Sequence, residues 1–148
     1  MKRRILPPTY FQVLLLLSIG VRFVFPILKF IPSPYKYLGS LFIVFGIVLN
    51  LWADALFKKR RTPVKPHDTP TSLEISGPFR ISRHPMYLGM TAILLGTAII
   101  LGSLIPFGFS VLFIVFMEIL FIPVEEKNLE KVFGETYLDY KKRVRRWL

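Results

Sequence analysis

The chain contains no cysteine, so disulfides, thiolate metal sites and cysteine nucleophiles are all excluded. It has only two histidines, His67 and His84, too few for a histidine-rich metal site. Acidic residues are scarce too, nine against twenty lysines and arginines, which leaves a formal net charge of +11. Such a surplus can mark a nucleic-acid binder. Here the basic residues flank long apolar runs instead of forming a stripe interleaved with aromatics, so no nucleic-acid partner is expected. What the chain has in abundance is apolar side chains, 53% of its 148 residues. High positive charge and high apolar content coexist in a membrane protein, where spans and their flanks meet separate requirements. The length fits a single domain.

Four stretches are long enough to cross a bilayer, which takes about 20 apolar residues. They cover residues 10–31 (interrupted by Arg22 and Pro26), 38–57, 86–105 and 106–124. Lipid cannot satisfy open backbone groups, so each must be helical. Lys2-Arg3-Arg4 before the first run resembles a signal peptide. No small-x-small cleavage site follows, so the run is expected to be a retained span. Gly102-Ser103 and Pro106 are turn formers that predict a tight hairpin between the third and fourth spans. The fold class predicted is an all-α integral membrane protein, one domain over 1–148. It has four transmembrane helices, a loop over 58–85 and a C-terminal helical tail over 125–148. Gly134 should break that tail, and Tyr137, Tyr140 and Val144 should share one of its faces. Basic residues crowd the N-terminus, the 58–85 loop and the tail, while Lys29 and Lys36 alone lie opposite. The positive-inside rule then makes loop, tail and both termini cytoplasmic, in an inner or plasma membrane.

Ionisable groups inside apolar spans are costly and are functional candidates by default. Here they are Arg22, Asp54 and Glu118, with Asn50 as a neutral companion. At about 1.5 Å per residue, Asp54 lies roughly 6 Å and Glu118 roughly 10 Å from the cytoplasmic end. One reading makes these groups interhelical glue, with Arg22 snorkelling outward. The sharper reading has Asn50, Asp54 and Glu118 line a polar cavity open to the cytoplasm and suited to a cationic cofactor.

The segment Ser82-Arg83-His84-Pro85-Met86-Tyr87-Leu88-Gly89 opens the third span. Ser82 is a candidate N-cap, and Pro85 suits an early helical position. The helix N-terminus presents unpaired N–H groups that can receive a carboxylate or hydroxyl oxygens, and Arg83 adds a fork-shaped donor. Taken alone, the segment is equally a membrane helix start with a snorkelling arginine and an interfacial tyrosine. Glu125-Glu126 shifts the balance, because adjacent carboxylates are odd in so basic a tail. One can pair with Arg83, or bind the hydroxyls or amino group of a ligand.

Together these stretches resemble the isoprenylcysteine carboxyl methyltransferases and their relatives, the membrane phospholipid methyltransferases. The resemblance covers about half the chain. It rests on Gly77-x-Phe79-x-x-x-Arg83-His84-Pro85-x-Tyr87-x-Gly89 paired with Glu125-Glu126-x-x-Leu129-x-x-x-Phe133-Gly134-x-x-Tyr137-x-x-Tyr140. Thr62-x-Val64-Lys65-Pro66 and the short length look like the small bacterial members. The resemblance implies an S-adenosylmethionine-dependent methyltransferase without a soluble nucleotide-binding domain, its acceptor lipophilic or lipid-borne and entering from the bilayer. Carried over by position, the cofactor contacts are Leu73, Phe79, His84, Pro85, Met86, Tyr87 and Glu125, with Arg83 and Glu126 as candidates for catalysis. Two departures matter. Phe121 stands where the eukaryotic carboxyl methyltransferases carry a substrate arginine, and Arg145-Arg146-Trp147-Leu148 replaces their longer tail. Both argue against a prenylcysteine substrate.

Methyl transfer from a sulfonium needs in-line alignment and desolvation more than acid–base groups. A carboxylate acceptor needs no base, whereas an amine acceptor must lose a proton that Glu126 or Glu118 could take. Two other classes stay open at this point. Membrane sterol reductases have a similar helix start, Arg-x-Pro-x-Tyr, although their pattern has an asparagine where this chain has Met86. A small transporter or scaffold is the third reading, and four spans without a detectable repeat speak against it.

Overall fold

The computed structural model describes residues 6–24, 31–60 and 71–148. The basic Lys2-Arg3-Arg4, the Pro26 interruption, Lys29 and the Thr62-x-Val64-Lys65-Pro66 motif lie outside the described residues. Every regular element among the described residues is helical. Helix α1 is Pro7–Val24, α2 Lys36–Arg60, α3 Pro85–Leu101, α4 Leu104–Phe116, α5 Ile122–Phe133 and α6 Glu135–Arg143. Short 3₁₀ turns lie at Ser33–Tyr35 and Gly77–Arg80, and a π-turn at Met117–Phe121 joins α4 to α5.

Three helices are long and apolar enough to cross a membrane: Pro7–Val24, Lys36–Lys59 and the continuous Leu104–Phe133. Helix α3 is apolar but has only 17 residues, about 25 Å, at the short end of what a bilayer needs. Gly102 stops it: in a left-handed conformation (φ 65°), its N–H bonds back to Ala98 and Ile99. The expected third span over 86–105 therefore ends four residues early, and the hairpin turns at Gly102-Ser103 as the sequence implies. The helix of the fourth span runs on without a break through 124 to Phe133, and the break falls at Gly134 (φ 50°), as expected for the tail. Hydropathy falls at Glu125, but backbone hydrogen bonding does not depend on where lipid ends.

Inside that long helix the π-turn has an identifiable cause. Pro123 has no N–H to give Ile119, and its ring crowds that carbonyl. The turn widens, and Ile122 N–H bonds Met117 instead.

The seven-residue spacing of Gly39 and Gly46 on α2 matches that of Gly89 and Gly96 on α3. The helices run antiparallel, so Gly39 meets Gly96 and Gly46 meets Gly89. A Cβ on Gly39 would lie 2.5 Å from the Gly96 carbonyl oxygen. Small residues matter here because lipid gives helices no hydrophobic reason to associate, and close backbone approach supplies dispersion instead. Outward on α2, Leu41, Val44, Val48 and Leu51 stay exposed, as lipid-facing side chains should.

The main core joins α1, α3 and the long helix through Leu14, Tyr87, Met90, Leu94, Phe113, Met117, Phe121 and Ile122. Phe121 is buried in the apolar core and meets Tyr10 edge-on at 5.5 Å, so an arginine at this position would bury its charge among apolar side chains. A second cluster of Tyr137, Tyr140 and Val144 packs with Leu73, Leu129 and Phe133. The face predicted for the tail is thus the one that buries.

The intramembrane polar groups do not converge. Asn50 donates to the Gly46 carbonyl at 2.8 Å, Asp54 pairs with Lys58 one turn on at 2.6 Å, and Glu118 turns toward Arg146. Among the described residues each of the three thus has its own partner in place of the expected shared polar cavity. Arg22 does not snorkel freely either: its Nη1 is buried, without a hydrogen-bond partner among the described residues.

Candidate functional site

The start of α3 is fixed before any ligand is considered. Pro85 occupies the first turn, and His84, with φ −127° and ψ 59°, is the N-cap. Ser82, expected in that role, stands two residues earlier; its Oγ accepts the His84 N–H at 3.2 Å. The Arg83 N–H is already taken, donating to the Arg145 carbonyl at 3.0 Å, and the Ser82 hydroxyl donates to the Arg146 carbonyl at 3.1 Å. The helix start expected to hold open donors is covered by the chain's own C-terminal residues.

Beneath this cover lies a cluster of opposite charges. His84 Nδ1 stands 3.2 Å from Glu125 Oε2, and the Tyr87 hydroxyl donates to the other oxygen of Glu125. The His84 and Tyr87 rings stack, with centroids 5.6 Å apart and planes within 7°. Glu126 is 5% exposed and receives Arg83 Nη1 at 2.9 Å, with Arg146 Nη2 and Nε at 2.8 and 3.0 Å. Arg83 Nη1 also donates to the Tyr137 hydroxyl at 3.4 Å. Arg146 reaches on with Nη1 to Glu118 Oε2 at 2.8 Å, and Trp147 Nε1 donates to Glu118 Oε1 at 2.8 Å. Among the described residues two atoms of the cluster stay unmatched: Arg83 Nε is buried without a partner, and His84 Nε2, 3.5 Å from Glu126 Oε1, lacks an aligned hydrogen bond.

These contacts set the charge of His84. Burial favours the neutral imidazole, but hydrogen bonds and Coulombic attraction from Glu125 and Glu126 outweigh it, so its pKa is raised above 6.5. Burial raises Tyr137 and Tyr140, which stay neutral. The Glu126 hydrogen bond raises Arg146 further.

The residues carried over by resemblance fall into two layers. Arg83, His84, Tyr87, Glu125 and Glu126 meet in one cluster. Leu73 and Phe79 lie in the neighbouring layer: Leu73 packs on the tyrosines of α6, while Phe79 sets its ring 5.1 Å from Phe57 and accepts the Tyr140 hydroxyl on its carbonyl at 2.6 Å. Pro85 is fully buried and Met86 half-buried. Glu74 is a further buried carboxylate, holding the Ser76 N–H at 2.9 Å. Sequence reasoning missed Arg146 and Trp147, because a run of basic residues after a span looks like a topogenic flank. An isolated tryptophan inside that run was the available signal.

A family model described as phospholipid methyltransferase matches residues 35–136, from the turn before α2 to the start of α6. The chain belongs to the phospholipid methyltransferase family. The match spans α2 to α5 and includes Arg83, His84, Tyr87, Glu118, Glu125 and Glu126, so the polar cluster lies within the family's shared portion. Helix α1 and the Arg146-Trp147 segment lie outside it. A protein of Haemophilus influenzae described as uncharacterized is 40% identical over 63 residues, which is 43% of this chain and the whole of that protein. With its apolar helices, this member of the phospholipid methyltransferase family is an integral membrane protein.

Proposed function

We propose that this chain transfers a methyl group from S-adenosylmethionine to a lipophilic or lipid-borne acceptor. The observation that carries the reading is the His84–Tyr87–Glu125 arrangement at the start of α3, within the portion shared with the phospholipid methyltransferases. The donor set fits such a cofactor. Glu125 can accept from hydroxyl or ammonium groups, the stacked His84 and Tyr87 rings can pack on an aromatic base or a cation, and Arg83 Nε and His84 Nε2, buried without a hydrogen-bond partner among the described residues, are donors that a polar ligand could satisfy. Leu73, Phe79, Pro85 and Met86 would supply the apolar wall. When bound, the sulfonium supplies an already activated methyl group, so the chain's task is to orient and to exclude water.

Arg83 and Glu126 act as a positioning pair in this reading. A carboxylate held by two guanidinium groups is a poor proton acceptor, which weakens the case for Glu126 as a base. Both carboxyl oxygen and amine nitrogen remain acceptable methyl acceptors. The acceptor arrives from the bilayer, along helices whose outward faces are apolar. Four crossings are proposed, α1, α2, α3 and the long helix, with the site and both termini on the cytoplasmic side that carries the excess of lysine and arginine.

Calorimetry on detergent-purified protein tests the cofactor assignment. The parent binds S-adenosylmethionine, and His84→Ala or Glu125→Gln each weaken binding at least tenfold, about 1.4 kcal/mol. Binding by the variants equal to the parent's sinks the site. Binding of NADPH with none of S-adenosylmethionine turns the reading toward a reductase.

A further inference from the structure

After Arg143 the chain leaves α6 through an extended Val144 (φ −120°, ψ 129°) and runs back over the start of α3. There the Arg145 and Arg146 carbonyls take the Arg83 N–H and the Ser82 hydroxyl. The Arg146 side chain bridges Glu118 and Glu126, and the Trp147 ring packs against the main core. Leu148 lines an apolar cavity of about 180 Å³ shared with Phe45, Trp52, Pro78 and Ile81.

The bridge depends on the π-turn. Glu118 and Glu126 are eight residues apart, and in an unbroken α-helix eight residues overshoot two full turns by about 80°. The wider π-turn between them takes up much of that offset. Both carboxylates can then meet one guanidinium.

Three observations mark this contact as a closure. His84 and Glu126 beneath it are 7% and 5% exposed, so a ligand of nucleoside size reaches them only if something moves. The outer contact of the plug is partly exposed, Arg146 37% and Glu118 31%, so that ion pair is worth little, and the two-pronged contact with Glu126 is the one a ligand has to displace. Under the cover, Arg83 Nε and His84 Nε2 are buried and unmatched among the described residues.

We propose that residues 145–148 form a strap that gates the cluster, with Arg146 as a built-in plug in the Glu118–Glu126 pair. The plug is displaced when a cationic ligand enters. The proposal rests on the cofactor reading above, because S-adenosylmethionine carries the sulfonium and ammonium charges that compete with a guanidinium for carboxylates. Release of the strap leaves the local charge balanced, since one cation replaces another. It also uncovers the Ser82 hydroxyl and Arg83 N–H, which become donors at a helix N-terminus.

The absence of cysteine makes the test clean. Ser82→Cys/Arg145→Cys puts one cysteine on each of the two segments joined by the Arg83–Arg145 hydrogen bond, and mass spectrometry first establishes that oxidation closes the disulfide, which tolerates Cα separations up to ~7 Å. A binding time course with labelled S-adenosylmethionine is run on the oxidised and reduced forms of this one protein. Oxidation is expected to slow association at least tenfold, and dithiothreitol to restore it; Arg146→Gln should associate several-fold faster than the parent. Equal association by oxidised and reduced forms overturns the gate. Absence of binding by the reduced form and by the parent overturns the cofactor reading and with it the displacement of Arg146. Hydrogen exchange of the Arg83 amide then judges the strap without any ligand: about tenfold faster exchange in Arg146→Gln than in the parent supports an opening strap, and equal exchange contradicts it.

Discussion

His84 holds the start of α3 by its backbone and the Glu125–Glu126 pair by its ring. The second role makes stability depend on pH, and the sign follows from its raised pKa. In the unfolded chain the imidazole titrates near 6.5. In the folded protein it keeps its proton to higher pH. The stabilisation is therefore fully present below about pH 6.5 and fades as pH climbs through the folded pKa. Thermal unfolding in detergent from pH 6 to 9 should show the parent's advantage over His84→Gln shrink as pH rises. A constant advantage would mean that His84 is not charged in the fold. At this scale the site was partly legible. His84, Tyr87 and Glu125 stand out because histidine and acid are scarce in this chain, so their presence at membrane exits is informative. Arg146 was hidden among the seven basic residues of the 125–148 tail, where charge alone cannot tell a topogenic arginine from one that grips two carboxylates. Glu118 was singled out, but its partner lies 28 residues away, and no spacing rule reaches across a helix break and a strap.

Among the elements, the α2–α3 pair governs how the site is held, since Arg83 and the N-cap His84 lead into α3 and Tyr87 lies in its first turn. The close approach at Gly46 and Gly89 involves backbone atoms, which cannot step aside as a flexible side chain can. Gly46→Val should therefore force the helices apart and cost about 1–3 kcal/mol, the usual range for overpacking. Thermal unfolding in detergent should register a clear loss, whereas Gly108→Val, where a Cβ meets nothing within 4 Å, should register little. Equal effects would remove the glycine contact from the account. The paired seven-residue spacings were present in the sequence, but each glycine alone looks like an ordinary membrane-helix glycine. Only the antiparallel pairing, which turn chemistry does not encode, gives them meaning. The α3–α4 hairpin was legible because Gly102 and Pro106 act locally. The break at Gly134 was legible for the same reason; that span and tail join in one unbroken helix up to it was not, because charge marks where lipid is left and says nothing of where a helix stops.

For the whole molecule, the site sits where the end of α2, the start of α3 and the lower half of the long helix meet, on the face flanked by most of the basic residues. The proposed orientation puts this face in the cytoplasm, where S-adenosylmethionine is available. Single cysteines placed in this cysteine-free chain test it. In intact cells an impermeant maleimide should label Leu104→Cys, at the α3–α4 turn. Glu135→Cys, at the start of α6, should label only after permeabilisation. The reverse pattern would invert the topology. All-helical architecture and a membrane location were both readable from composition and hydropathy, because lipid leaves the backbone few options. The strap was not, since it depends on contacts between segments that only the fold brings together. The most direct test of the central claim is transfer of label from methyl-labelled S-adenosylmethionine to lipid extracts, read by mass spectrometry. The parent should place the label in a lipophilic product, and Glu125→Gln should fall at least tenfold, toward the enzyme-free background. No labelled lipid from a parent that binds the cofactor, or equal labelling by both proteins, would contradict the account.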